Sequence, residues 1–516
     1  MGMLLPLRKG AGRQACAGGI AGAAGRAIVA AMWEILYGYW PHILAALSLA
    51  ITVVAASHAA LTKDEVRAAI GWVGVILLSP FLGALIYAVA GVNRMRRASI
   101  VSQRRREPGA GAAGEPAAIS SEAVERDFGR RFAALKTLGD KVARRPLKSG
   151  NAITTLRTGD EAYAAMAEAI AGARSAIILE TYIFDRDPIG LRLADALIAA
   201  LGRGVAVRVL IDAVGARYSV PSIVGYLQKG GVPVDVFNGN IIMGLRLPYA
   251  NLRTHRKLLI VDGEIAFAGG MNIRQGFTRE FAGDATARDT HFRIAGPVVE
   301  DLLAVAAEDW RFASGEDLAD AAWSVAPQPP PGEGGVVMRA VASGPDSSLE
   351  TNHRLLIGAF SVARDSIRIM SPYFLPDREL ISALVTAARR GVTIDIVVPE
   401  VNNLVLVDRA MQAQFDQVLK DGCRVWRATG AFDHSKLLAI DGTWAYVGSS
   451  NLDPRSLRLN FEIDLEVLDE DFARSIEARI DGVIASARPV TLAELRARPF
   501  PIRLLDRLLW LCSPYL

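Results

Sequence analysis

The sequence predicts an α/β fold: two similar α/β/α halves in a pseudo-two-fold arrangement, preceded by a transmembrane helical hairpin. Three observations predict it. Two long stretches near the N-terminus are apolar and free of charge, helical patterns alternate with short β-branched runs from Asn151 onward, and the same order of segments returns after residue 335.

The membrane segments come first. Residues 41–61 contain no Asp, Glu, Lys or Arg over 21 positions, and residues 68–92 repeat that pattern over 25. A helix of the shorter length spans roughly 30 Å, the thickness of a bilayer's hydrocarbon core. Only Thr62–Arg67 separates the two, so they must run antiparallel, with Trp40, Trp72 and Tyr87 placed for the interfaces. Arg8, Lys9, Arg13 and Arg26 precede the hairpin; Arg94, Arg96, Arg97 and the run Arg104–Arg106 follow it. This positive excess places both termini in the cytoplasm, and the same ten side chains suit anionic headgroups. Residues 1–40 are then an N-terminal cytoplasmic segment, and 93–150 a basic linker (PGAGAAGEP at 108–116) followed by a charged helix. The first apolar run is interrupted at Arg8 and no small-residue cleavage site follows, so no secretory leader is expected.

Composition bounds the remainder. A chain of 516 residues allows about three domain-sized units. Residues 1–106 carry 12 Lys/Arg against 3 Asp/Glu, whereas the other 410 carry 46 against 51. The larger part is therefore mildly acidic. That argues against a nucleic-acid partner, because a phosphate-tracking surface needs an excess of Lys and Arg. Cys16, Cys423 and Cys512 lie far apart with no CxxC or His/Cys spacing, so they build no zinc site and read as free thiols. The sequence carries no signal for an oligomeric state.

The repeat is explicit. Ser175–Phe184 (SAIILETYIF) corresponds to Ser366–Phe374 (SIRIMSPYF), and the helix ending Gly202-Arg-Gly-Val205 to the one ending Arg389-Arg-Gly-Val392. Each is followed by a strand, Val207–Ile211 or Ile394–Val398. The stiff connector APQPPPGEGG at 326–335 divides half 1 (151–325) from half 2 (336–490), leaving 491–516 as a C-terminal amphipathic segment. Two such halves bring corresponding residues together at a shared cleft.

Within each half one motif carries chemistry. The first half has His255, Lys257 and Asp262, then Gly269-Gly270-Met271-Asn272; the second has His434, Lys436 and Asp441, then Gly448-Ser449-Ser450-Asn451. His to Asp is seven positions and Asp to Asn is ten in both copies. A histidine and a lysine two apart on a strand share a face, so the two halves together offer two imidazoles and two ammoniums around one point. That is a site for a phosphodiester. Lys257, Lys436, Asn272 and Asn451 would hold nonbridging oxygens, a role that needs no metal. One histidine would attack phosphorus while the other moves the proton of the alcohol. An attacking imidazole needs its other nitrogen held by a carboxylate. Glu462 is the expected partner of His434 and Asp289 of His255, with Glu280 and Asp284 as competitors for the latter. Asp262 and Asp441 fall at the strand-to-turn step before Gly263 and Gly442, where they would hold the turn or a neighbouring lysine.

The pattern HxKxxxxDxxxxxxG(G/S)xN, present twice, resembles the HKD signature of the phospholipase D superfamily over about Asn151–Val490. The likeness narrows to bacterial cardiolipin synthases through ETYIFDRD, GGMN, SGPD, SPYFLP, GSSNLDPRSLRLNFE, the two-helix N-terminus ending Val92-Asn-Arg-Met-Arg-Arg97 and the terminus Ser513-Pro-Tyr-Leu516. The resemblance implies two phospholipase D-like halves that use no cofactor and act on phospholipid at a membrane. It implies transfer of a phosphatidyl group from one phosphatidylglycerol to another, with release of glycerol, by a multi-pass protein of the bacterial inner membrane whose catalytic part is cytoplasmic. It makes His255, Lys257 and Asp262, with His434, Lys436 and Asp441, the catalytic set, and His255 the nucleophile; symmetry alone does not decide the order. A hydrolase, or a transferase with another acceptor, would need the same residues. A membrane-tethered nuclease shares the chemistry but not the acidic balance. Arg274-Gln-Gly-Phe277 departs from the acidic, aromatic run associated with these synthases and bears on acceptor preference. His42, His58 and His353 are expected at surfaces or interfaces, and His291 shares a strand face with Asp289. The segment Phe500–Cys512 has helical apolar spacing, suited either to packing on the enzyme or to lying on a bilayer.

Overall fold

The computed structural model describes residues 17–63, 65–91, 117–238, 252–323 and 335–513, in two compact units, Met1–Met95 and Arg96–Leu516. Arg8, Lys9, Arg13, Cys16, the Arg94–Arg106 cluster, the linker at 108–116, most of the 326–335 connector and the last three residues lie outside the described residues.

In the first unit one helix runs from Ala17 to Thr62 through Pro41, so the helix starts well before the expected residue 41. The stretch ahead of Pro41 is rich in alanine and other helix formers, which carry the helix back into the segment expected to be separate. Its part Met32–Thr62 is, among the described residues, the one helix long and apolar enough to cross a membrane. The second stretch, expected as one helix over 68–92, is broken. Val66–Leu78 ends at Ser79, and Pro80–Ile86 continues into a π-helical turn, Tyr87–Gly91. Proline lacks the N–H that would continue the first piece and is well suited to open the second. Both pieces fold back on the long helix: Ala59, Ile76 and Tyr87 are buried together, and His58 Nδ1 lies 2.8 Å from the Tyr87 hydroxyl.

The second unit is organised by one sheet. Half 1 supplies β1 (Lys148–Leu156), β2 (Ala176–Thr181), β3 (Ala206–Asp212), β4 (Val234–Phe237), β5 (Arg253–Thr254), β6 (Leu258–Val261), β7 (Ile265–Gly269) and β8 (His291–Ala295). Half 2 supplies β9 (Val336–Ser343), β10 (Ser366–Met370), β11 (Thr393–Pro399), β12 (Arg424–Ala428), β13 (Leu437–Ile440), β14 (Trp444–Gly448), β15 (Asn460–Leu468) and β16 (Arg488–Val490). Outward from the centre the order is β1-β8-β7-β6-β2-β3-β4 on one side and β9-β15-β14-β13-β10-β11-β12-β16 on the other. The expected two-half α/β fold is present, with β16 as an added edge. The halves join where β1 pairs with β9 in antiparallel, Lys148 opposite Met338 and Asn151 opposite Val336.

Each half closes its own core. β2, β6 and β13 are buried along their whole length; β6 and β13 are unbroken apolar runs, while β2 ends in the buried polar pair Glu180 and Thr181. Ile177, Val207 and Leu259 lie in the core of half 1, and Ile367, Ile396 and Leu438 in that of half 2. The charged stretch expected to be helical after the linker is helical, and it packs on the catalytic unit. Helices Ser121–Phe128 and Arg130–Ala143 bury Val124, Phe132 and Leu135 in the half 2 core, and β1 begins at Lys148 rather than at residue 151. Their amphipathic pattern gave a helix but not the surface it packs on.

Candidate active site

The two motif segments leave the sheet in the same way. His255–Lys257 and His434–Lys436 are extended stretches just ahead of β6 and β13, outside the strands expected to carry them. Their alternation survives: the side chain after His255, Arg256, is buried away from it, with Nε donating to the Glu462 carbonyl at 3.0 Å and an ion pair to Asp309. Cross-half backbone contacts hold both segments. β5 runs parallel to the start of β15, and the His255 N–H donates to the Phe461 carbonyl at 2.8 Å. The His434 N–H donates to the Arg288 carbonyl at 2.7 Å, where Arg288 bridges Asp433.

That arrangement crosses the carboxylates. His255 Nδ1 lies 2.9 Å from Glu462 Oε2, and His434 Nδ1 lies 2.9 Å from Asp289 Oδ2. The within-half pairing expected from the sequence is therefore wrong for both. Each histidine segment is laid against the start of the other half's carboxylate strand, and the carboxylate nearest in space is the one farther away in the chain. Glu280 and Asp284 do not compete: Glu280 pairs with Arg192 at the surface, and Asp284 is exposed. A carboxylate on Nδ1 takes that nitrogen's proton in a hydrogen bond and leaves the Nε2 lone pair for chemistry.

Both histidines open onto one cleft of about 690 Å³, lined also by Asn272 and Asn451. Asn272 Oδ1 accepts from the Ile183 N–H at 3.2 Å, which fixes the amide, while Asn451 Oδ1 is buried with no hydrogen-bond partner among the described residues. The lysines are buried beside their histidines. Lys257 Nζ donates to the His255 carbonyl at 2.6 Å, and Lys436 Nζ bonds the His434 carbonyl and lies 2.9 Å from His434 Nδ1.

Sequence reasoning missed the aromatic walls. Tyr182 meets the His255 ring edge-on at 5.2 Å between centroids, and Tyr373 meets His434 at 6.1 Å. Their signal was present: they occupy matching places in SAIILETYIF and SIRIMSPYF. Also missed was the pair Gly270 and Ser449. The Ser449 hydroxyl donates to Glu462 at 2.6 Å, whereas a side chain at Gly270 would collide with Asp289, its Cβ falling 2.5 Å from Oδ1.

Burial dominates the electrostatics. It drives His255 well below the usual imidazole range and His434 down to about 4, with both lysines adding to the effect. It brings Lys257 to about 7 and Lys436 to about 8, against the pull of Glu462 and Asp289. Burial raises Glu462 to about 7. Asp289 is pushed up by burial too, but Lys436 and the His434 hydrogen bond outweigh this and hold it below the ordinary value. These shifts favour neutral imidazoles at the cleft, while Lys257 and Lys436 stand behind them, outside its lining, with Nζ on the carbonyls of His255 and His434.

The two motif aspartates do not reach that cleft. Asp262 accepts the N–H groups of Arg174, Ser175 and Ala176, at 2.9, 2.7 and 3.0 Å, and Asp441 those of Arg364, Asp365 and Ser366 at 2.9, 2.8 and 2.8 Å. Both sit at left-handed φ, 54° and 52°. They pin the starts of β2 and β10 to the ends of β6 and β13, so their grouping with the catalytic residues is corrected, as is a hold on lysine. His353 is not at the surface: it is buried, with Nε2 2.9 Å from Asp377. His291 is buried beside Gly269 with both ring nitrogens unpartnered among the described residues, and outside the lining of the cleft.

A doubled α/β sheet that delivers both copies of an HKD motif to one cleft is the architecture of the phospholipase D superfamily. The family model described as cardiolipin synthase, phospholipase D-like domain, matches residues 166–283 and 356–484, and one described as a phospholipase D-nuclease N-terminal segment matches 50–91. Cardiolipin synthase A of Pseudomonas fluorescens is 31% identical over 89% of this chain and 95% of its own length. For cardiolipin synthase A of Pseudomonas aeruginosa the figures are 33%, 86% and 90%; for the cardiolipin synthase of Geobacillus thermodenitrificans they are 29%, 95% and 98%. The solved phosphatidylserine synthase of Haemophilus influenzae, 16% identical, superposes on 74% of this chain and 100% of its own with a TM-score of 0.57, a likeness of fold. This chain belongs to the cardiolipin synthase family of the phospholipase D superfamily.

Proposed function

We propose that the chain is a cardiolipin synthase that transfers a phosphatidyl group between two phosphatidylglycerol molecules through a phosphohistidine. The observation that carries this is the pair of imidazoles lining one cleft, each with a carboxylate on Nδ1. His255 Nε2 attacks phosphorus and the P–O bond to glycerol breaks, with His434 giving the departing alkoxide its proton. The hydroxyl of a second phosphatidylglycerol then loses its proton to His434 and attacks the phosphohistidine, which frees His255 and forms cardiolipin. His434 holds that proton because the phosphodiester's negative charge beside it raises an imidazole that burial alone keeps low. Lys257, Lys436, Asn272 and Asn451 stabilise the charge that gathers on the nonbridging oxygens. His255 is placed first by the family resemblance.

The apolar helix Met32–Thr62 and the broken stretch after it would tether this chemistry to the bilayer as a hairpin, with both termini and the catalytic unit on the cytoplasmic side of the bacterial inner membrane. The test is mass spectrometry of lipids after incubation of the purified chain in vesicles of phosphatidylglycerol. Cardiolipin with free glycerol is expected. Phosphatidic acid with glycerol would make it a hydrolase, and no product would overturn the donor.

A further inference from the structure

Within the catalytic unit, large apolar side chains at the surface are concentrated in few places. Of thirteen exposed among the described residues beyond 116, ten lie in two segments, 401–406 and 500–511. The first is the loop and helix start Val401, Leu404, Val405 and Leu406, exposed by 47–71%. The second is the outer face of helix Phe500–Leu511, chiefly Phe500, Leu504, Leu508 and Leu511. Two of the remaining three, Tyr218 and Val220, stand together on another loop.

These segments are tied to each other and to the cleft. Helix Phe500–Leu511 packs on helix Val405–Leu419: Asp506 is buried and pairs with Arg498 at 2.8 Å and Arg409 at 3.4 Å, while Arg507 pairs with Asp416 at 3.0 Å. Leu509 and Trp510 turn inward to the half 2 core, which leaves the opposite stripe exposed among the described residues. Leu404 and Tyr218 line the cleft that holds His255 and His434 while also standing half exposed at its rim. Between 488 and 507 stand five arginines against two acids; Arg488, Arg498 and Arg507 are held in ion pairs, and Arg496 and Arg503 are exposed. Apolar side chains flanked by arginine suit an interface of acyl chains and anionic headgroups.

We propose that these segments seat the catalytic unit on an anionic phospholipid bilayer, with the cleft mouth opening onto it. The proposal rests on the phosphatidyltransferase reading and deepens it: the donor lipid enters sideways along Leu404 and does not leave the membrane. Of the two expectations for the C-terminal segment, packing on the enzyme is seen on the inner face of the helix, and the proposal assigns the bilayer to the outer one.

The test uses the full chain with Cys16 and Cys512 changed to Ser and a fluorophore on Val405→Cys or Leu508→Cys, reconstituted in vesicles of phosphatidylglycerol and phosphatidylcholine. Nitroxide lipids are expected to quench both labels and aqueous iodide to leave them bright. Iodide quenching at both, or protection from both quenchers, overturns the proposal. As a second measure, Val405→Asp with Leu508→Asp is expected to lower turnover of vesicle lipid by about tenfold while leaving monomeric dihexanoyl phosphatidylglycerol largely unaffected. Equal turnover of vesicle lipid by variant and parent also overturns it; loss on both substrates leaves the quenching result to decide. Quenched labels on a chain that forms no cardiolipin would sink the functional reading and leave the docking surface standing.

Discussion

Nδ1 of His255 lies 2.9 Å from Oε2 of Glu462, a carboxylate contributed by the opposite half and 207 positions away in the chain. Its counterpart, His434 with Asp289, crosses in the other direction over 145 positions. Glu462→Gln is therefore expected to cost the chemistry of His255 and not that of His434. Loss of a carboxylate that sets an imidazole's tautomer lowers kcat by on the order of 10³- to 10⁴-fold with little change in KM. Rapid-quench measurement of phosphohistidine formation checks it: Glu462→Gln should slow the first step, whereas equal slowing by Asp289→Asn of that step alone would mean the pairs are not crossed in solution.

The two histidines separate in a trapping experiment. His434→Ala should slow turnover by about 10²- to 10⁴-fold and let a phosphohistidine accumulate, while His255→Ala should yield none. Peptide mapping of radiolabelled lipid phosphate locates it, and label on His434 in the His255 variant would exchange their roles.

The pH profile follows from the buried groups. Burial holds His255 well below the usual imidazole range and His434 at about 4 in the free enzyme, so kcat/KM should not fall as the pH drops from neutrality through that range, and should rise where proton donation by His434 limits the step. Lys257 and Lys436, at about 7 and about 8, lose their charge on the alkaline side, so activity should decline there rather than near the ordinary lysine value. A rate profile that falls near pH 6.5 on its acid side would contradict the first statement.

His291 offers a stability measurement. Unfolded, its imidazole takes a proton near 6.5; folded, burial delays this to about 4. Between those values the unfolded chain holds more protons, so stability falls as the pH drops through that window. His291→Met should flatten the acid side of a plot of Tm against pH while leaving activity near neutrality in place; an unchanged slope would show the ring titrating normally.

Gly270 and Ser449 occupy matching positions with opposite demands. Gly270→Ala brings a Cβ within 2.5 Å of Asp289 Oδ1 and should displace that carboxylate from His434, with a loss of at least about tenfold in kcat. Ser449→Ala removes one hydrogen bond to Glu462 and should cost less, since its Asn460 contact at 3.3 Å remains. The ranking is read from initial rates of the two variants.

The doubled motif was legible because the catalytic pattern is local: seven and ten residues of spacing, repeated, place histidine, lysine and asparagine without knowledge of the fold. The carboxylate partners were legible as residues but not as pairs, since their assignment depends on β5 meeting β15 and on Arg288 meeting Asp433. Asp262 and Asp441 share the motif with the histidines but serve the far ends of their strands, which spacing alone does not reveal. The break at Ser79-Pro80 was written in the sequence, and the charge-free composition around it masked its meaning. Helix Arg130–Ala143 was legible as a helix, but nothing local names half 2 as its neighbour.

The pairing of β1 with β9 has a mechanical meaning. A backbone ladder crossing the midline makes the catalytic unit a single beam, so its two halves cannot part like jaws without breaking hydrogen bonds at the centre. Lipid exchange is then expected at the cleft's rim, where Tyr218 and Leu404 stand, with His255 and His434 held on one continuous sheet. Loop motion at the lips, rather than any hinge between halves, is what would set the pace of lipid exchange.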